Sequence, residues 1–216
     1  MSNPYFRFKQ FTVWHDRCAM KVGTDGVLIG AWCDVDACRR ILDVGCGTGL
    51  ISLMIAQRTP DRTMIEGVEI DAVAAEQAAE NTDRSPWKNR LRIHTSDFLD
   101  FATSTTVRYD HIVSNPPYFE KSLLPEDAAR LTARHTGCLT YESLLRGAVS
   151  LLLPGGRISL IFPAGLHDSV SAIAREYGLF VRRTMWVSGR EGMPPKRVMV
   201  EWVNTVSYTH LRAHET

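Results

Sequence analysis

No apolar stretch in the 216-residue sequence approaches the ~20 residues that a helical membrane span requires; the longest runs, 148–153 and 158–162, fall far short. Neither sign of charge dominates: 25 Lys+Arg stand against 24 Asp+Glu, a formal net of +1, so no bulk field marks a polyanion binder. The ten prolines and fifteen glycines come without any low-complexity tract, which excludes collagen-like, disordered and coiled-coil chains. Cys18, Cys33, Cys38, Cys46 and Cys138 are odd in number and lack CxxC spacing. That disfavours a disulfide framework or zinc ribbon and suits reduced thiols. No His/Cys/carboxylate cluster has metal-ligand spacing, so no metal is expected. Residues 1–10 carry no apolar signal-peptide core, and a cytoplasmic location is expected.

What is present fits one ordinary domain, with 44% apolar and 23% charged residues. From Arg39 onward, short β-rich runs alternate with longer helical ones. Strands are expected at 41–44, 64–69, 91–94, 111–114 and 157–162. Helices are expected at 49–58, 72–83 (with Asp71 as N-cap), 141–153 and 166–177. The helix at 141–153 should stop at Pro154-Gly155-Gly156. Two last strands, 180–187 and 197–203, follow each other without a helix and should pair antiparallel. The pattern predicts an α/β, Rossmann-like fold: a mainly parallel seven-stranded sheet, helices on both faces and a C-terminal antiparallel hairpin. Residues 1–38 read as a small N-terminal appendage covering substrate or cofactor, a strand pair and then a helix near 26–33. Residues 39–205 form the main domain. Val206–Thr216 has neither periodicity nor turn logic, looks like a translated sequencing adapter, and is set aside as a non-native tail.

Leu42-Asp43-Val44-Gly45-Cys46-Gly47-Thr48-Gly49 places alternate glycines between a strand and a helix, where the backbone turns tightly and a ligand can approach. Glu69, at the end of the next strand and 20 residues after Gly49, is placed to hold a ribose diol. A dinucleotide site would read G-x-G-x-x-G; here the third glycine comes one residue early. That spacing favours S-adenosylmethionine, which has no pyrophosphate, and resembles motif I and the following acidic position of class I methyltransferases. Asp97-Phe98, after the third strand, resembles that family's adenine-reading pair, with a turn aspartate capping a short helix as the alternative. Asp43 stands near the expected methionine end or orders the loop. Thr24-Asp25 looks like a helix N-cap, and Thr24 could reach over the methionine end. Cys46 reads as a small loop filler.

Ser114-Asn115-Pro116-Pro117-Tyr118-Phe119 follows the fourth strand, at the sheet end where an open α/β fold binds ligands. A conjugated amide or amine nitrogen is a poor nucleophile because its lone pair is delocalised. The Asn115 side-chain oxygen and the Pro116 carbonyl can each accept one of its N–H bonds and so aim the lone pair. Successive prolines keep the loop rigid, and Tyr118 offers a flat face for stacking. The segment resembles motif IV of amino-methyltransferases acting on adenine N6, cytosine N4 or glutamine amide.

Phe6-Arg7-Phe8-Lys9-Gln10-Phe11 alternates aromatic and basic residues, as a strand with a stacking side and a phosphate side would, or as an ordinary edge strand would. Residues 182–197 are also locally basic, through Arg182, Arg183, Arg190, Lys196 and Arg197. Taken together, FRFKQF, MKVGTDGVLIGAW, LDVGCGTGL, VEID, SPW, SNPPYF and ARH resemble the bacterial tRNA1(Val) adenine-37 N6-methyltransferase family over residues 5–203. The resemblance implies S-adenosylmethionine as donor and adenine in a tRNA anticodon loop as acceptor. It implies cofactor binding by Gly45, Gly47, Glu69 and Asp97, and base binding by Asn115, Pro116 and Tyr118. Arg134-His135 would contact RNA phosphate or pin its own loop. The family continues beyond the last strand, where this chain departs from it. A monomer without a membrane partner is expected. Two other readings stay open: another NPPY enzyme acting on rRNA adenine or a protein glutamine amide, and a cofactor-fold RNA chaperone without turnover.

Overall fold

The computed structural model describes residues 3–18, 20–116 and 139–205. Its centre is a seven-stranded sheet in the order β5-β4-β3-β6-β7-β9-β8, formed by β3 (Arg40–Val44), β4 (Met64–Glu69), β5 (Leu91–Thr95), β6 (Tyr109–Ser114), β7 (Leu152–Pro163), β8 (Leu179–Val187) and β9 (Arg197–Asn204). The pairs β3–β4, β4–β5, β3–β6 and β6–β7 are parallel, while β9 runs antiparallel between β7 and β8. The strand order reverses between β3 and β6, which opens a crevice beyond their carboxyl ends.

Side chains alternate across this sheet with period two, so each face has its own core. Leu42, Val44, Ile112, Ile158, Leu160 and Phe162 face one side, against α4 (Phe98–Ser104), α5 (Tyr141–Leu151) and α6 (His167–Glu176). Ile41, Ile65, Val113, Ile161 and Met199 face the other, against α1 (Thr24–Trp32) and α2 (Leu50–Arg58). Phe11, Val13, Ile29 and Cys33 belong to this second core, so the N-terminal segment shares its burial with the sheet.

A two-stranded hairpin, β1 (Tyr5–Arg7) with β2 (Thr12–Trp14), sits on α3 (Ala72–Asp83). One side chain joins three elements there. Asn81, almost fully buried, accepts from the Trp14 N–H at 2.9 Å and donates to the carbonyls of Trp14 at 2.8 Å and Thr48 at 3.0 Å. The α3 N-cap is Asp71, as expected: its Oδ1 accepts from the amides of Val73 and Ala74.

The helix expected at 141–153 ends at Leu151, and β7 already begins at Leu152. Pro154-Gly155-Gly156 does not stop the helix but forms an irregularity within the strand. Tyr109 pairs with Leu152, yet His111 pairs with Arg157. Gly155 takes a φ of +75, the left-handed turn that only glycine adopts cheaply. Cys18, Cys33, Cys38 and Cys46 are free and buried; Cys138 and residues 206–216 lie outside the described residues. No helix among the described residues is long and apolar enough to cross a membrane.

Candidate active site

The register across the crevice sets the site. Val44 pairs with Ser114, and the Ser114 hydroxyl donates to the Val44 carbonyl at 2.7 Å. The two strands therefore end side by side, and Gly45 and Asn115 leave them as neighbours. Both line one cavity of about 570 Å³, a volume typical of small-molecule sites. Thr24, Gly47 and Pro116 line it too.

The glycine loop is held from below. The amides of Gly45 and Cys46 both donate to the Val68 carbonyl, at 2.8 and 3.1 Å. Gly47 donates to Glu69 Oε2 at 2.8 Å, and Glu69 Oε1 accepts from the Asp71 amide at 3.0 Å. Gly45 and Gly47 have φ of +68 and +52, and a Cβ added at either meets nothing within 4 Å. Their bare α-carbons thus border open space, a cradle that side chains would fill. Cys46 is buried, with its sulfur close over Gly67, and fills the loop's underside.

Asp43 lies beneath the loop and is wholly buried. Its Oδ2 accepts from the Ser52 amide at 3.0 Å and hydroxyl at 2.7 Å, which anchors the first turn of α2. Its Oδ1 has no hydrogen-bond partner among the described residues. Burial raises this carboxyl to about 7, against the opposing pull of the two Ser52 bonds.

Of the residues expected to bind cofactor, Asp43, Glu69, Asp97 and Phe98 are not among those bordering the cavity. Asp97 caps α4, its Oδ1 accepting from the amides of Leu99 at 2.7 Å and Asp100 at 3.3 Å. Phe98 is buried in the core, its ring so close to Gly147 that a Cβ there would stand 2.7 Å from it. Thr24 is the first residue of α1. The cap position falls one residue earlier, on Gly23, whose extended backbone enters the helix without a side-chain cap bond. Tyr118, Pro117, Phe119 and Arg134-His135 lie outside the described residues.

Sequence reasoning did not single out the ion pair at the cavity rim. Arg197 Nε donates to Asp25 Oδ2 at 2.9 Å, joining the start of β9 to the first turn of α1, and both residues line the cavity with Lys21. The only local signal was position: Arg197 begins the last strand at the same sheet end as Asn115. Among the described residues, no group of three or more His, Cys, Asp or Glu has the arrangement of a metal site.

A family profile, the methyltransferase small domain, matches residues 26–176. A protein of Bacteroides fragilis named tRNA1(Val) (adenine(37)-N6)-methyltransferase is 50% identical over 203 residues, covering 94% of this chain and 85% of the relative. A Yersinia enterocolitica protein of the same name is 47% identical over 195 residues, covering 90% and 78%. Among solved structures, TrmN from Thermus thermophilus aligns with a TM-score of 0.57 at 24% identity, covering 77% of this chain and 44% of that one. A methyltransferase from Pyrococcus furiosus aligns at 0.60 and 17% identity, covering 88% and 90%. These two share the fold.

Proposed function

The chain belongs to the bacterial tRNA1(Val) (adenine(37)-N6)-methyltransferase family, and from that membership we propose that it methylates N6 of an adenine in a tRNA anticodon loop. The methyl donor is S-adenosylmethionine. The observation that supports this reading best is the Val44–Ser114 register, because it makes the ligand-facing glycine loop and the Asn115-Pro116 segment two walls of one cavity.

The residues present suit the donor. Gly45 and Gly47 would let it approach the backbone, and Glu69, with two of its roughly four lone-pair sites in use, keeps acceptor capacity for a ribose diol. The orphaned Asp43 Oδ1 would accept from the methionine ammonium, with Thr24 covering that end. The second oxygen of Asp97 would accept from the cofactor adenine's amine, while Phe98 fixes the position of Asp97 from the core. When bound, the donor supplies an electrophilic sulfonium methyl.

The chain's own task is then to prepare a weak nucleophile. The exocyclic amine of adenine shares its lone pair with the ring. Asn115 Oδ1 and the Pro116 carbonyl each accept one of its N–H bonds, turning the nitrogen so that its electrons face the methyl. Holding donor and acceptor in line removes orientational entropy from the barrier. As the new N–C bond forms, the donor's S–CH3 bond would break with its electron pair left on sulfur as a neutral thioether; one amine proton is then lost to solvent, so no strong base is needed. Tyr118 stacks on the base, offsetting the few kcal/mol spent when adenine leaves its neighbours. A tRNA substrate is what supports a cytoplasmic location.

Incubation with labelled cofactor and separated tRNA, rRNA and protein pools tests the assignment. Label is expected in tRNA. Label confined to rRNA or to protein would replace this reading with another NPPY enzyme, and cofactor binding without any transfer would favour the chaperone.

A further inference from the structure

The basic run at 182–197 divides once its partners are known. Arg182 and Arg183 both bond to Glu201, a carboxylate with no exposed surface; Arg183 also donates to the Trp32 carbonyl, with its guanidinium 4.1 Å from the Trp32 ring centroid. Arg197 is held by Asp25. Arg190 and Lys196, in the turn joining β8 to β9, are exposed and have no ion-pair partner among the described residues. Beside them Trp186 is 48% exposed, unusual for so large a ring, and the His167 ring lies 4.8 Å from it at 46°. An aromatic platform with two cations beside it matches single-stranded nucleic acid, which offers base faces and phosphates together.

Its place in the sheet ties this surface to the site. Trp186 pairs with Val198, and Val198 with Phe162, while Ser114 pairs with Leu160 on β7. Trp186 therefore stands at the carboxyl edge that carries Asn115, three inter-strand spacings from β6, about 14 Å. The turn leads directly into Arg197 on the cavity rim.

We propose that Trp186 with His167, flanked by Arg190 and Lys196, binds the single-stranded RNA next to the adenine being methylated: the ring pair stacks on a neighbouring base, and the two cations contact its phosphates. This rests on the tRNA reading above and deepens it.

The test measures Kd for unmodified tRNA as a function of salt, beside Kd for S-adenosylmethionine, on the full chain. Trp186→Ala is expected to weaken tRNA binding about tenfold, with Trp186→Phe restoring most of it. Arg190→Glu with Lys196→Glu is expected to weaken tRNA binding and to flatten log Kd against log salt by about 0.7 for each cation lost. Cofactor affinity should not move in any of them. These are surface positions, and an unchanged circular dichroism spectrum checks each fold. Wild-type tRNA affinity and salt slope in both sets of variants would overturn the inference while leaving the methylation reading intact. A change in sedimentation with tRNA affinity unaltered would also overturn it, by making the face a contact between copies. A wild-type protein that transfers methyl to no RNA would remove both.

Discussion

Gly47 donates its amide hydrogen to Glu69 Oε2 at 2.8 Å, so the loop that borders the cavity is held by the very carboxylate expected to hold the ribose. If Glu69 also binds the ribose as proposed, loop order and cofactor affinity are coupled through one residue.

Replacing Glu69 should therefore reveal two effects. Glu69→Ala removes acceptors for the Gly47 and Asp71 amides and should cost about 1.5–3 kcal/mol of stability, the range for hydrogen bonds to a charged group. Cofactor affinity should fall at least in parallel. Glu69→Gln keeps one acceptor oxygen and should recover stability more than affinity. Urea titration and isothermal calorimetry separate the two.

Gly47→Ala tests the cradle itself. At a φ of +52 the methyl costs about 1–2 kcal/mol in backbone strain, and it projects into open cavity rather than protein. The protein should fold with a modestly lower Tm yet lose most cofactor binding. Full affinity in this variant would show that the donor does not approach the loop backbone.

Two of the buried ionisable groups, His111 and Asp43, should respond to pH with opposite signs. Burial lowers His111 to about 4, while Glu201 pulls it up; its ring donates from Nδ1 to the Asp34 carbonyl and faces the Ser159 hydroxyl through Nε2. The unfolded chain takes up a proton near 6.5 and the native one only near 4, so the stability present above pH 6.5 is lost as pH falls through that window. Asp43, raised to about 7 from 3.8, contributes stability present below 3.8 and lost as pH rises toward 7. Urea midpoints between pH 7 and 5 should show wild type losing ground to His111→Asn as pH falls. Against Asp43→Asn it should gain ground. Each slope is bounded by about 1.4 kcal/mol per pH unit.

At the reacting end, Asn115→Ala should abolish methyl transfer and leave cofactor affinity nearly intact, because the role proposed for Asn115 is to hold the amine and not the donor. Tyr118→Ala should mainly raise KM for RNA. Paired kcat, KM and cofactor Kd measurements check this division; equal loss of cofactor binding in Asn115→Ala would contradict it.

The sheet was legible in the sequence because strands and helices alternate at distinct periods and because Asp71, Gly45, Gly47 and Gly49 punctuate them. The β7 irregularity was not, since Pro154-Gly155-Gly156 serves equally well as a helix stop or as a bulge, and pairing with Tyr109 decides. Residues 6–11 read either as a strand with a stacking side and a phosphate side or as an ordinary edge strand. In the structure the aromatics divide: Phe11 is buried and meets Trp87 edge-on at 5.7 Å, with Phe8 stacked on it at 4.5 Å, while Phe6 stays exposed.

Long-range partners were the least visible part of the site. Glu201 neutralises Arg182 and Arg183, and Asp25 reaches Arg197 across 172 residues; neither pairing leaves a local signature. Asn81, which ties the hairpin and α3 to Thr48 of the glycine loop, looks in the sequence like any helix asparagine. Such residues set where the site stands, while the motifs set only what stands there.

The most direct measurement is mass spectrometry of nucleosides and anticodon-loop fragments from unmodified tRNA-Val treated with the protein and S-adenosylmethionine, beside an Asn115→Ala control. One new N6-methyladenosine in the anticodon loop, absent from the control, is the expected result. Methyl groups on a ring nitrogen, or equal N6-methylation by the Asn115→Ala protein, would contradict a mechanism in which Asn115 and Pro116 orient an exocyclic amine.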